Sequence, residues 1–232
     1  LIFFNLSNKI EKKYLKICYL ILTLIIIQGI IGWYMVKSGL VNDVSVSHYR
    51  LSVHLSIGII IISSIFWLLL NVIYNINKTF FKFSKNNYPF IILIFLILGQ
   101  IIMGAFVSGL DAGKIYQTWP MMGNAYFPND LLSNNLEFFI DFNNHSLVQF
   151  YHRNLAYLIF VYILILSIYI YKRKLLNLYK PLKILLFFLF FQIILGIFTL
   201  ISNLNIFLAS AHQITSVLLV FSALNLYFLR TK

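Results

Sequence analysis

The sequence predicts an all-α membrane protein whose chain crosses the bilayer six times. Three observations lead to this prediction: 61% of the 232 residues are hydrophobic, only 10% are charged, and the apolar residues fall into six long stretches. A hydrocarbon core about 30 Å thick requires roughly 20 helical residues, and each stretch reaches that length. The mean hydropathy of +0.88 excludes an ordinary soluble domain.

The six spans are placed by the limits of the apolar stretches and by the prolines beside them. Pro89 and Pro181 fall at two helix entrances, where a missing backbone N–H costs nothing. The long connection from Gly109 to Leu147 exceeds what a simple connector needs, so we expect it to cap the bundle or to lie on the membrane as an interfacial segment without chemistry. In chain order the predicted spans are Tyr14–Val36, Leu51–Ile73, Pro89–Ser108, Val148–Ile170, Leu182–Ile201 and Phe207–Leu229.

The basic residues predict which side of the membrane each loop faces. Fourteen of the 18 Lys and Arg residues lie in the N-terminal segment, in the loops after the second and fourth spans, and in the C-terminal tail. Only Lys37, Arg50, Lys114 and Arg153 lie on the other side. By the positive-inside rule, both termini are expected on the cytoplasmic or matrix side. This pattern explains the net charge of +12 without nucleic-acid binding, which we do not expect.

Three histidines share one position relative to their spans. His54, His152 and His212 each lie about one helical turn inside a span that starts at the outer side, at a depth of roughly 6–9 Å. Imidazole is a common ligand of haem iron, and an ionisable residue at membrane depth suggests a functional site. For any one histidine, a hydrogen bond to a neighbouring helix is an equally good explanation. Each has a small residue four positions later, which would leave a recess for a porphyrin edge: Gly58, Ala156 and Ser216.

The other two histidines, His48 and His145, lie outside the predicted spans. Because both fall in outer loops, we expect their side chains to be solvated. They are therefore not candidates for a site.

The odd-numbered spans share a Gln-x-x-x-Gly motif near the middle of each helix. Small residues let helices approach each other, and a buried Gln can hydrogen-bond across them, so we assign the motif to helix packing. The motif and the histidines recur together, which indicates two similar halves, of which the first shows only one histidine. The three copies are Gln28–Gly32, Gln100–Gly104 and Gln192–Gly196.

Five strings of residues resemble those of haem A synthase, in the form found in alphaproteobacteria and mitochondria. They occur in the family's order and cover nearly the whole chain. The strings are Gln28–Leu40 (QGIIGWYMVKSGL), Val46–Leu51 (VSHYRL) followed by His54 and Leu55, Gly104–Gly113 (GAFVSGLDAG), Val148–Arg153 (VQFYHR) and Ala211–Gln213 (AHQ).

This resemblance implies eight transmembrane helices in a pseudo-symmetric pair of four-helix bundles. It also implies oxidation of the C8 methyl of haem O to the formyl group of haem A, for cytochrome oxidase. His152 and His212 match the axial ligands of a haem b cofactor, and His54 matches one ligand of the substrate haem, so all three would bind haem iron. Residues 1–73 would be the remainder of the substrate-haem half, 74–88 an inside linker and 89–232 the half that binds haem b.

The resemblance further implies a bacterial plasma membrane or a mitochondrial inner membrane as the location. The expected partners are the substrate haem O, haem O synthase, an electron acceptor and membrane lipid, and a homo-oligomer is compatible with the family. The family's first two helices, with the glutamate implicated in catalysis, have no counterpart here. We therefore expect the chain to hold haem b without catalysing alone, and we assign no catalytic residue to it.

Two arginines near the outer boundary, Arg153 and Arg50, are candidates to bind haem propionates, since arginine offers a planar fork of donors. Arg50 could equally reach lipid phosphate. Two other functions would use the same histidines: an electron-transfer cytochrome with a bis-histidine haem and no substrate chemistry, and a transporter with histidines as proton relays.

Overall fold

The computed structural model describes residues 1–7, 9–39, 46–128, 130 and 139–231. Within these ranges the regular structure is helical, as the sequence predicted, and six of the helices are long and apolar enough to cross a membrane. The apolar residues 131–138, on which the expected membrane-lying part of the long loop depends, fall outside the described residues. The helices are α1 (Ile2–Leu6), α2 (Lys12–Gly39), α3 (His48–Ile73), α4 (Tyr88–Gly109), α5 (His145–Lys172), α6 (Tyr179–Ile201) and α7 (Ile206–Arg230).

All six membrane helices begin earlier than the hydrophobic pattern predicted, and α3, α5 and α6 do so by three residues. α5 begins at His145 because the side chain of Asn144 accepts a hydrogen bond from the backbone N–H of Leu147, which caps the helix. α3 begins at His48 rather than Leu51. A cap is set by a polar residue outside the apolar run, so hydropathy alone places the helix start too late.

Because the helices start earlier, the histidines lie more than one turn from the first residue of each helix. His54 and His152 now lie six and seven residues after the first residue of α3 and α5. At 1.5 Å per residue this is a distance of about 9–10 Å, or nearly two turns. The expectation of one turn is therefore corrected.

The last four helices form a ring. α4 contacts α5 and α7, and α6 contacts the same two helices, so α5 and α7 lie diagonally across the ring. α3 packs on the outside of this ring against α4 and α7, and α2 packs against α3. His152 and His212 are thus on opposite members of one four-helix bundle, and His54 is on a helix beside it.

The apolar core fills one half of the bundle. On α3, α5 and α7, every member of the buried cluster comes after the histidine in sequence, and on α4 and α6 every member comes before the glutamine. Large, fully buried members are Trp67, Tyr227, Phe228 and Phe90. The dense packing therefore ends where the histidines begin, and the three histidine side chains are only partly buried.

Candidate functional site

Each of the three histidines contacts the Gln-x-x-x-Gly motif of the helix that precedes its own. The amide nitrogen of Gln28 lies 3.2 Å from Nε2 of His54 and donates to the backbone carbonyl of His54 at 3.0 Å. The amide nitrogen of Gln100 lies 3.2 Å from Nδ1 and 3.4 Å from Nε2 of His152, and donates to the carbonyl of His152 at 3.0 Å.

The third pair, Gln192 and His212, repeats the arrangement with one difference. The amide nitrogen of Gln192 lies 3.3 Å from Nε2 of His212, and Nδ1 of the same ring lies 3.1 Å from the backbone carbonyl of Gln192. A ring nitrogen this close to a carbonyl donates to it, so Nδ1 of His212 carries the proton and Nε2 presents a lone pair. The motif was assigned to helix packing from the sequence, and the three contacts show that it packs against a histidine of the next helix.

The glycine of each motif lies under the imidazole ring. A Cβ added at Gly196 would lie 2.9 Å from Cε1 of His212, and one at Gly32 would lie 3.0 Å from Cε1 of His54. At Gly104 the corresponding distance to Cε1 of His152 is 3.2 Å. Only a residue without a side chain leaves the imidazole this much room. Each odd-numbered span therefore accepts the histidine ring of the following span against its glycine.

The small residue that follows His54 also serves the glutamine. A Cβ added at Gly58 would lie 3.4 Å from the amide nitrogen of Gln28. At this position the space beneath the histidine, which the sequence suggested for a porphyrin edge, admits the glutamine side chain instead.

His152 and His212 are brought together by the ring of helices. They are carried by α5 and α7, the diagonal members of the bundle. His54, on α3, belongs to the neighbouring pair of helices, α2 and α3. Of the three predicted site histidines, two are therefore on one four-helix bundle and the third is on a helix beside it.

Arg153 and Arg50 have partners within the protein. The guanidinium of Arg153 donates from Nη1 to the carbonyl of Thr118 at 2.9 Å and from Nη2 to the carbonyl of Tyr116 at 2.9 Å. Arg50 lies over the ring of Tyr34, with its guanidinium carbon 5.3 Å from the ring centre. Arg153 thus fastens the loop after α4 to the helix that carries His152.

The same loop has further hydrogen bonds to α5. Gln149 donates to the carbonyl of Tyr116 at 2.9 Å, and Trp119 donates to the hydroxyl of Tyr157 at 3.1 Å. Tyr126 donates to the side chain of Asn154. These contacts hold the first part of the long loop against the N-terminal half of α5, on the turns before and after His152.

A hydrogen-bonded acid–phenol pair, Asp130 and Tyr116, closes this loop. Tyr116 donates to Asp130 at 2.7 Å, and this hydrogen bond, with burial, raises the pKa of Tyr116. Burial by itself would raise the pKa of Asp130, but hydrogen bonds from Ser146 and Tyr116 outweigh it, so the pKa of Asp130 lies below its usual value.

The expectation that the side chain of His48 is solvated is wrong. Its side chain is 8% exposed, and its ring centre lies 5.4 Å from that of Phe106 on α4. Gly109 makes this possible, since a Cβ there would lie 2.7 Å from Cβ of His48. His145 is exposed, as expected.

The site residues suit a haem. Two imidazoles on diagonal helices can supply both axial ligands of one iron, whereas a metal ion held by the protein alone usually needs three or four side chains. In the described part of the chain no three His, Cys, Asp or Glu residues gather in that way. The amide oxygens of Gln28, Gln100 and Gln192 are buried and, among the described residues, accept no hydrogen bond, so each histidine has an unused acceptor beside it.

Comparison with known proteins shows to which family the chain belongs. Residues 1–224 match the model of the cytochrome oxidase assembly protein family, COX15-CtaA. The chain belongs to this family. Relatives include proteins named haem A synthase from Pelagibacter ubique, 44% identical over 99% of this chain, and from Wolbachia pipientis wMel, 40% identical over 98%. A haem A synthase from Rickettsia africae is 36% identical over 99% of the chain.

The relatives of this family member are longer than the chain. The chain spans 66% of the Pelagibacter protein, 63% of the Wolbachia protein and 68% of the Rickettsia protein. The residues matched by the family model, 1–224, span the positions of all three glutamine–histidine pairs. The family resemblance that the sequence suggested is thereby confirmed, and the six long apolar helices confirm the predicted all-α membrane protein.

Proposed function

We propose that this protein acts as haem A synthase and oxidises the C8 methyl group of haem O to the formyl group of haem A. The observation that supports this most directly is the placement of His152 and His212 on diagonal helices of one four-helix bundle, with His54 contacted by the same motif on a neighbouring helix. The names of the relatives supply the reaction, and the histidines supply the positions at which haems can be held.

In this proposal His152 and His212 are the axial ligands of haem b. A haem with both axial positions filled by histidine carries electrons rather than binding oxygen. Conversion of a methyl to a formyl group releases four electrons, with water as the simplest oxygen donor, so the reaction requires an electron acceptor. His152 and His212 would hold this cofactor, and the loop that contains Tyr116 and Thr118 is fastened to the helix of His152 by Arg153.

His54 binds the iron of the substrate, haem O. Gln28 and Gly32 hold its ring as the equivalent residues hold the other two histidines, which supports a similar task. Residues 1–73 would then belong to the substrate half, 74–88 to the linker and 89–232 to the haem b half. Arg50, beside Tyr34, is a candidate for a substrate propionate, and Arg153 for a propionate of haem b in addition to its loop contacts.

The proposed location is a bacterial plasma membrane or a mitochondrial inner membrane. The excess of lysine and arginine at one side favours both termini on the cytoplasmic or matrix side. Haem O synthase is the natural neighbour, because it makes the substrate, and the open faces of the membrane helices contact lipid.

The test is a spectrum followed by haem analysis. The protein, purified in detergent from cells that make haem, should show the bands of a six-coordinate low-spin haem b. His152→Ala and His212→Ala should abolish these bands, and His54→Ala should retain them. A colourless wild-type protein, or a low-spin spectrum that survives both substitutions, contradicts the assignment of the haem b ligands.

The reaction itself is tested by supplying haem O. Haem extracted from cells that carry this chain together with the first two helices of the family should include the formyl product, and the same cells with the His54→Ala variant should lack it. Bound haem b without a formyl product in the cells that carry both parts would indicate an electron-transfer cytochrome instead.

A further inference from the structure

The repeated glutamine carries a feature that helix packing does not require. In all three copies the amide nitrogen is paired and the amide oxygen is not: Oε1 of Gln28, Gln100 and Gln192 is buried without a hydrogen bond in the described residues. A buried polar group left unpaired costs about 1–3 kcal/mol. The same cost at three equivalent positions indicates that these oxygens have a donor at some stage of function.

The imidazole beside each oxygen is such a donor. A neutral histidine has one ring nitrogen with a lone pair and one with a proton. When the lone pair binds a metal, the proton on the other nitrogen needs an acceptor, and that acceptor fixes the ring and raises the basicity of the ligand. For His152 the side-chain amide of Gln100 is such an acceptor.

The distances at His152 favour this exchange. Both ring nitrogens lie near the amide nitrogen of Gln100, at 3.2 and 3.4 Å, and the amide is held in place by its hydrogen bond to the carbonyl of His152. Because the nitrogen and oxygen of an amide share one carbon, a small rotation of the imidazole brings its N–H to Oε1. Gly104, under the ring, leaves room for that rotation, since a Cβ there would be only 3.2 Å from Cε1.

We propose that Gln100 is a positioning residue for the haem b site, whose amide oxygen accepts the ring N–H of His152 when the other ring nitrogen binds iron. This inference rests on the proposed function. It is confined to Gln100, because at His212 a ring nitrogen already meets the backbone carbonyl of Gln192. Gln100 thereby adjusts the electron density at the iron, and so the reduction potential, without touching the cofactor.

The test compares two substitutions of Gln100 that differ in the acceptor. Gln100→Leu keeps the size and removes the acceptor, so the midpoint potential of haem b should become more positive and haem should be held about 10- to 100-fold more weakly. Gln100→Glu keeps an acceptor and places the potential at or below the wild-type value. The measurements are a redox titration of the α band and the g values of the oxidised low-spin haem.

The chain supplies a matched control. Gln28→Leu makes the same change in the same motif beside His54, so it should leave the potential and the g values of haem b unchanged. A purely structural role for Gln100 would shift the potential of both Gln100 variants in the same direction. That result, or a Gln100→Leu protein with wild-type potential and g values, overturns the inference.

The failure of this inference is distinguishable from failure of the proposed function. A wild-type protein without low-spin haem refutes the haem b site itself. A wild-type protein with low-spin haem, whose potential is indifferent to Gln100, refutes only the positioning role. If Gln100→Leu retains too little haem for a titration, recovery of haem and of a wild-type or lower potential in Gln100→Glu supports the role, and failure of both variants to hold haem opposes it.

Discussion

Replacing Gly196 by alanine should displace His212. The new Cβ would lie 2.9 Å from Cε1, 3.3 Å from Nδ1 and 3.6 Å from Nε2 of the ring, so the imidazole must move away. Overpacking of this kind costs about 1–3 kcal/mol. The same substitution gains about 1 kcal/mol of helix propensity, which offsets part of the cost.

A second glycine separates the two effects. Gly29 also lies inside a membrane helix, but a Cβ there would meet nothing within 4 Å, so Gly29→Ala has the propensity gain without the overpacking. The difference between Gly196→Ala and Gly29→Ala therefore isolates the displacement of the ring, about 1–3 kcal/mol. Because 1.4 kcal/mol is a factor of ten, this corresponds to roughly a 5- to 140-fold loss in haem affinity.

The assay is haem dissociation from detergent-purified protein into an excess of an apo-haem-binding protein, followed by the Soret band. Gly196→Ala should lose haem faster than wild type, and Gly29→Ala should match wild type. Gly104→Ala, with its 3.2 Å contact to His152, should fall between them. Equal rates for Gly196→Ala and Gly29→Ala would refute the reasoning, because the ring of His212 could then not rest on Gly196.

Three further predictions concern the outer loop and the contact of α3 with α4. Arg153→Ala should increase hydrogen exchange at residues 116–121, because the guanidinium donates to backbone carbonyls there. Lys114→Ala should not, since its ion pair with Asp111 is exposed and such pairs contribute about 0–1 kcal/mol. Equal exchange in both variants would contradict the proposed attachment of the loop by Arg153. Acidification should loosen the same loop, because the pKa of Asp130 is lower in the folded protein than in the unfolded chain, where it is about 3.9. The ionised carboxylate therefore stabilises the folded loop above a pH of about 3.9, and this stabilisation is lost as the pH falls through the folded pKa. Hydrogen exchange measured from pH 6 to pH 3 should show this loss in wild type and not in Asp130→Asn, and identical profiles would contradict it. Gly109→Ala should lower the thermal midpoint, because its Cβ would lie 2.9 Å from the backbone Cα of His48, with an overpacking cost of about 1–3 kcal/mol; an unchanged midpoint would show that α3 and α4 are not in this contact.

The helices could be predicted from the sequence because their signal is local. A run of about 20 apolar residues is sufficient evidence for a membrane helix, and all six runs are helices in the structure. The helix starts were less accurate, because Asn144 caps α5 from outside the apolar run. The error of three residues put His145 outside its helix and placed His152 one turn from the helix start instead of nearly two.

The parts of the site that the sequence missed all depend on a second helix. His48 was expected to be solvated because it lies before the apolar run of its span, yet Gly109, some sixty residues later, lets α4 cover it. The role of Gln100 was missed for the same reason, since its partner His152 is 52 residues away. The available signal was the recurrence of Gln-x-x-x-Gly before each histidine-bearing span, which paired the residues correctly without showing that they touch.

The repeat alone does not explain why two of the histidines are on one four-helix bundle and the third is on a helix beside it. All three are held by the same motif, at similar distances and on helices of the same direction, so local structure treats His54, His152 and His212 alike. The difference arises one level higher, because the α4–α5 and α6–α7 pairs close into a ring that sets their histidines diagonally, whereas the α2–α3 pair lies outside that ring. One helix-pair unit can thus place its histidine either in the four-helix bundle or beside it, and the packing of the pairs, rather than the motif, decides which.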